Sequence, residues 1–163
     1  MHARDETASV YTVKRRTRTD DDATIAKALA ILGKRLAKLP QVFSDPAEVK
    51  AYLRLRVASL EHEVFCGLFL TSEYRLIADV TLSIGTLSQA SVYPREVVKT
   101  ALAHNASAVV LYHNHPSGNS APSRADEYLT QRLKAALGVV DVRVLDHLVI
   151  GATVTSFAEQ GLL

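Results

Sequence analysis

Three observations predict an α/β domain, helices packed around a central sheet. Stretches with apolar residues at steps of three and four alternate along the chain with short apolar runs that suit strands. One such run, residues 106–112, is apolar enough to lie at the centre of a sheet covered on both faces. The 163 residues are 48% hydrophobic and 22% charged, which fits one ordinary domain and excludes a wholly disordered, collagenous or coiled-coil chain.

Residues 1–22 hold five basic and five acidic residues with almost no apolar periodicity, and are expected to form a flexible leader. Residues 23–44 are expected to be a helical extension. There Ile25, Leu29, Leu32, Leu36 and Leu39 trace one apolar stripe, and Pro40 stops it. Ser44 and Asp45 ahead of Pro46, with Glu48 after, start a second helix whose core face is Val49, Tyr52, Leu53, Val57 and Leu60. The domain proper is taken as 45–163. Residues 64–71 and 76–85 read as strands joined by a tight turn, hence an antiparallel hairpin. Pro94 opens a helix to about His104, and the central strand 106–112 then ends at His113. Residues 124–137 read as a helix capped by Gly138, and 142–145, 147–151 and 153–157 as three closing strands.

Charge is unevenly spread: residues 23–60 carry seven basic and two acidic side chains, residues 61–163 seven and ten. This is the composition of a solvated helix surface, or of a face that associates weakly with nucleic acid. Only one cysteine is present, Cys66, so no internal disulfide or cysteine-built zinc site can form, and a cytoplasmic setting is expected. Cys66 itself reads as a small buried side chain. No apolar run approaches the roughly 20 residues of a membrane span.

Chemistry concentrates in residues 113–126. His113 and His115, two apart on an extended chain, can present both imidazoles to one point, which is half of a metal site. Ser123 and Asp126 fall at the start of the following helix, where they form the pattern of a capping box. Asp126 could instead return its carboxylate to the histidines. Two nitrogens and one oxygen with a fourth position left open is the donor set of catalytic zinc. One carboxylate oxygen cannot serve both the metal and the cap, so the local pattern leaves the choice open. A hydrolytic metal also needs a proton acceptor nearby, for which Glu63, just ahead of the first strand, and its neighbour Glu61 are candidates.

A glutamate ahead of a strand, then His-x-His, seven residues, Ser, two residues and Asp resembles the JAMM motif of the MPN/JAB metalloproteases. Glu63, His113, His115, Ser123 and Asp126 match it completely. Residues 92–98, 113–118 and 144–151 are similar to blocks of the RadC branch. The stretch ahead of them is short and without the glycine-bearing hairpins of the helix-hairpin-helix region of full-length RadC-like proteins. The resemblance implies a cytidine-deaminase-like fold, a central mixed sheet flanked by helices. It implies one zinc ion per chain on His113, His115 and Asp126, with Glu63 as the base and Ser123 stabilising the oxyanion. It would make the protein a metallopeptidase or isopeptidase acting on a protein or peptide. His147, in the last block, would be a partner that orients a metal ligand.

The alternative is a metal-containing, DNA-associated interaction module without peptidase activity. A nucleobase deaminase is excluded, since its paired cysteines are absent. The adjacent letters His-Asn-His do not make a nuclease either, because Asn114 points away from its neighbours on an extended chain. The expectation leaves room for a homodimer and none for a membrane.

Overall fold

The computed structural model describes residues 18–38, 46–57, 59–85 and 92–163. Its elements run α1 (Arg18–Lys38), α2 (Pro46–Val57), β1 (Val64–Leu70), β2 (Leu76–Ile84), α3 (Pro94–Ala103), β3 (Ala108–Asn114), α4 (Arg124–Gly138), β4 (Arg143–Ile150) and β5 (Val154–Ser156). Residues 1–17 of the expected leader, and the signals Leu39, Pro40, Ser44 and Asp45, lie outside the described residues. Among the described residues no helix is long and apolar enough to cross a membrane.

The five strands form one mixed sheet in the order β2-β1-β3-β4-β5. β1 is antiparallel to both β2 and β3, β3 is parallel to β4, and β4 is antiparallel to β5. The apolar sequence of β1 explains its place: all seven of its residues are buried, which only a strand flanked on both edges and covered on both faces allows. Alternation then divides the core. Cys66, Leu68, Leu70, Ala108, Tyr112, Leu148 and Ile150 pack with α2, and Leu29 and Leu32 of α1 join them. Phe65, Phe69, Val109 and Leu111 face the other way, towards Val97 and Ala101 of α3 and Leu133 and Leu137 of α4. Buried on the first side, the hydroxyl of Tyr112 donates to Asp79 Oδ1 at 2.6 Å, which ties the outer strand β2 to the middle of the sheet.

Four boundaries differ from the sequence expectation, each for a physical reason. Helix α1 begins at Arg18, before residue 23, with Asp20 and Asp21 in its first turn, where carboxylates suit the positive end of the helix. Strand β3 continues to Asn114 because His113 pairs with Phe65 on one side and Val149 on the other, so His113 lies within the strand, fully buried. The two strands expected at 142–145 and 147–151 are a single β4. Its register against β3 shifts between Val109↔Val144 and Val110↔Asp146, so the break suggested at Asp146 is an irregularity inside one strand. Gly138 is the last helical residue of α4, and the left-handed turn that follows is made by Asp141, at φ 58°.

Candidate metal centre

At the end of β3 the chain brings His113, His115 and Asp126 together, with one ligand atom of each lying within 4.8 Å of the others. His113 belongs to the strand, His115 follows it, and Asp126 stands at the third position of α4, so a strand end and a helix start supply the three groups. Phe65 stacks on the His113 ring with centroids 6.0 Å apart, and Phe65 and Phe157 also border the His147 ring. Phe65, His113, His147 and Phe157 are all buried.

For neutral rings, the place of each proton on the two candidate histidine ligands follows from their fixed partners. The Thr130 hydroxyl donates its only proton to the Asp126 carbonyl oxygen at 2.6 Å, so its oxygen must accept at 2.6 Å from His147 Nδ1. His147 Nε2 is then unprotonated, and it accepts from His113 Nδ1 at 2.8 Å. The proton of His113 is thereby held on Nδ1, leaving Nε2 bare. His115 Nδ1 donates to the Asn119 carbonyl at 2.7 Å, so its Nε2 is bare as well. The two bare nitrogens face each other at 3.0 Å. Two lone pairs at that distance repel unless a cation lies between them.

Asp126 divides its carboxylate. Oδ2 accepts from the Ser123 N–H at 2.7 Å and from the Ser123 hydroxyl at 2.7 Å, while Ser123 Oγ accepts from the Asp126 N–H. That is a complete capping box. Oδ1 is buried with no hydrogen-bond partner, 3.4 Å from His113 Nε2. Oδ2 serves the cap and is also the oxygen nearest His115, 3.9 Å from its Nε2, while Oδ1 faces His113 outside the cap, so the cap leaves one oxygen for a metal. Burial works to raise the Asp126 pKa, but positive charge on the facing His113 ring and the Ser123 donors outweigh it and hold the carboxyl well below the usual range. An ionised, orphaned oxygen and two bare imidazole nitrogens fit a divalent cation by their chemistry.

The loop after His115 is buttressed by the turn between β4 and β5. His115 N–H donates to Ile150 O, Ala152 N–H to Gly118 O, and Ser120 and Thr153 share a hydrogen bond of 2.6 Å between their hydroxyls. The approach is so close that a Cβ on Gly151 would lie 2.4 Å from Gly118 O.

Glu63 lies immediately ahead of β1. It precedes by two residues Phe65, which pairs with His113 in the β1–β3 ladder and stacks on its ring. Ser123 sits at the mouth with its hydroxyl proton committed to Asp126. His147 lies against the inner side of His113, its Nε2 2.8 Å from His113 Nδ1. Two residues were not singled out from the sequence. Thr130 follows Asp126 by four, a spacing that puts both on one face of α4, and this was the available signal. Asn114 had none, since its partners are main-chain groups about 50 residues away.

Residues 43–162 match the family model described as RadC-like JAB domain. The chain is 61% identical over 142 residues to a UPF0758 protein of Methylibium petroleiphilum, covering 86% of this chain and 64% of that one. Over 147 residues it is 56% identical to a UPF0758 protein of Leptothrix cholodnii, covering 90% and 66%. A UPF0758 protein of Nitrosomonas eutropha is 58% identical over 127 residues, 77% of this chain and 57% of its own. The chain thus spans less than two thirds of each of these relatives.

Proposed function

Because the chain belongs to the family of RadC-like JAB domains, we propose that it is a zinc-dependent hydrolase that cleaves a peptide or isopeptide bond in a protein or peptide substrate. The observation that carries the proposal is the meeting of His113 Nε2 and His115 Nε2, 3.0 Å apart, with Asp126, whose buried Oδ1 has no hydrogen-bond partner. Bound there, zinc supplies Lewis-acid polarisation of a carbonyl and brings the pKa of water down to about 7. His113, His115 and Asp126 would hold the ion. Glu63 takes the proton of the attacking water and returns it to the leaving amine. Ser123 turns its hydroxyl from Asp126 Oδ2 to the developing oxyanion, a contact of the kind whose loss typically costs about 100- to 1000-fold in rate. The capping box keeps its Ser123 N–H to Oδ2 bond throughout that turn.

A cytoplasmic setting belongs to the same proposal, supported by a single cysteine that is buried and whose thiol pKa is raised by that burial. The alternative, a DNA-associated module, draws on the basic stretch 23–60 and on the resemblance to the RadC branch. Lys50 pairs with Glu159, Arg54 donates to the Ala152 carbonyl and Arg56 pairs with Asp79, so three of its seven basic side chains have partners within the protein. The hydrolase reading is therefore preferred.

Its test is metal content and cleavage of a peptide library, read by mass spectrometry, for the parent, Glu63→Gln and a His113→Ala, His115→Ala double variant. About one zinc per chain and cleavage by the parent are expected. Glu63→Gln should keep the metal and lose cleavage, and the double variant should lose both. Cleavage surviving in Glu63→Gln would remove Glu63 as the base. A parent that takes up no zinc on reconstitution would overturn the proposal.

A further inference from the structure

Between the two candidate ligands, Asn114 turns its side chain away from the centre, and its bonds reach the segment that carries Glu63. Its Oδ1 accepts from the Val64 N–H at 2.8 Å and its Nδ2 donates to the His62 carbonyl at 3.0 Å. One amide thus grips the chain on both sides of residue 63. From the opposite side the Glu63 carbonyl accepts from Gly85 N–H at 2.9 Å. Three consecutive residues are pinned by their main-chain groups just where the β1–β3 ladder has ended at Phe65↔His113.

We infer that Asn114 is a positioning residue that fixes Glu63 relative to the metal ligands; this rests on the reading of Glu63 as the base. The inference follows from the chemistry of the two partners. One is a donor and the other an acceptor, so only a side chain presenting a carbonyl and an amide in one plane satisfies both. A carboxylate would keep the first bond and lose the second. Asn114 is 3% exposed and its bond to the Val64 N–H is buried, so removing the amide leaves that donor without bulk water to replace it. Because His113 and His115 flank it in the chain, a single strand end sets the positions of two ligands and, through Asn114, of the base. Placement of a base at its proton is where small displacements are costly in rate.

The probe is acetohydroxamic acid, a chelator that offers a proton to a carboxylate beside the bound zinc. Its affinity for the zinc-loaded full chain is measured by calorimetry for the parent, Glu63→Gln, Asn114→Leu and the two combined. Zinc should stay at one per chain in all four. Affinity should fall about tenfold or more in each single variant, the loss expected for a hydrogen bond to a charged group. The combined variant should be no weaker than Glu63→Gln, because removing the base leaves nothing for the clamp to position. Losses that multiply, parent-like affinity in Asn114→Leu beside a weakened Glu63→Gln, or zinc lost from Asn114→Leu would each overturn the inference. Parent-like affinity in Glu63→Gln would instead overturn the reading of Glu63 as the base. If Asn114→Leu does not fold, Asn114→Asp decides: an intermediate loss supports the clamp and none overturns it.

Discussion

The Thr130 hydroxyl has one proton, and its direction decides the protonation of two rings further on. Given to the Asp126 carbonyl, it makes His147 Nδ1 a donor and His113 Nδ1 a donor in turn, and frees His113 Nε2. Thr130→Val removes that order without removing volume from the core. Zinc affinity, measured by competition with a chromophoric chelator, should fall about 10- to 100-fold, while Thr130→Ser stays near the parent. Unchanged affinity in the valine variant would sink the relay. His147 also sets a pH dependence in the metal-free protein. Burial, with His113 beside it, pushes its folded pKa well below the ordinary value, so as pH falls below about 6.5 the unfolded chain takes the proton first. Its contribution to stability is whole above that pH and shrinks towards its folded pKa, by up to about 1.4 kcal/mol per pH unit. Urea unfolding at pH 7.5 and 5.5 should show this loss, and a shallower one in His147→Gln. At this scale the sequence disclosed residues whose spacing carries meaning. His113, His115 and Asp126 could be read because strand alternation and a loop of fixed length bring them together. The cap and the metal competed for Asp126 only until its two oxygens could be told apart. Asn114 acts on main chain distant in sequence, which no spacing encodes.

Among the elements, those bounded by local chemistry were legible and those bounded by pairing were not. Pro46 and Pro94 open α2 and α3, and the hairpin β1–β2 follows from two strand patterns and a short turn. β3 outran its apolar run because pairing on both sides carried His113 and Asn114 along, and β4 absorbed an expected break because an irregularity lets the strand continue. Both sheet faces needed the partner strands before they could be seen. The same dependence makes Gly151 a sensitive position, since it lies beyond β4 yet touches the loop after His115. A methyl there meets the Gly118 carbonyl at 2.4 Å and Ser120 N at 2.9 Å, both main-chain atoms that cannot rotate away. Gly151→Ala should therefore push the loop off the turn, destabilise the protein by about 1–3 kcal/mol as overpacking does, and weaken zinc binding through His115. Denaturant unfolding and the chelator competition read the two effects separately. A variant that binds zinc like the parent would show that the loop adjusts without moving its histidine.

For the whole molecule, the α/β class could be read from the alternation of patterns, while the order of strands could not, since β1 pairs with β3 across α3 and only the packed sheet reveals it. The same topology determines what a metal does to stability. His113 and His115 come from the strand-end segment and Asp126 from α4, so an ion at this centre bridges the middle of the sheet to the helix that covers one face. It would bind the folded chain far better than an unfolded one, in which the three donors are dispersed. At a free zinc concentration about 100 times the dissociation constant, the gain is about 2.7 kcal/mol. For a chain of this size that corresponds to a rise in Tm of roughly 5–11 °C. Scanning calorimetry with excess zinc and after chelation should show this shift in the parent. The His113→Ala, His115→Ala variant should melt at one temperature in both conditions. Asp126→Asn should lie between, because an amide oxygen can take the place of Oδ1 but brings no charge to the ion. A parent whose Tm ignores zinc would mean that the three donors meet without binding, and the repulsion between the two bare nitrogens would then need another cation to relieve it.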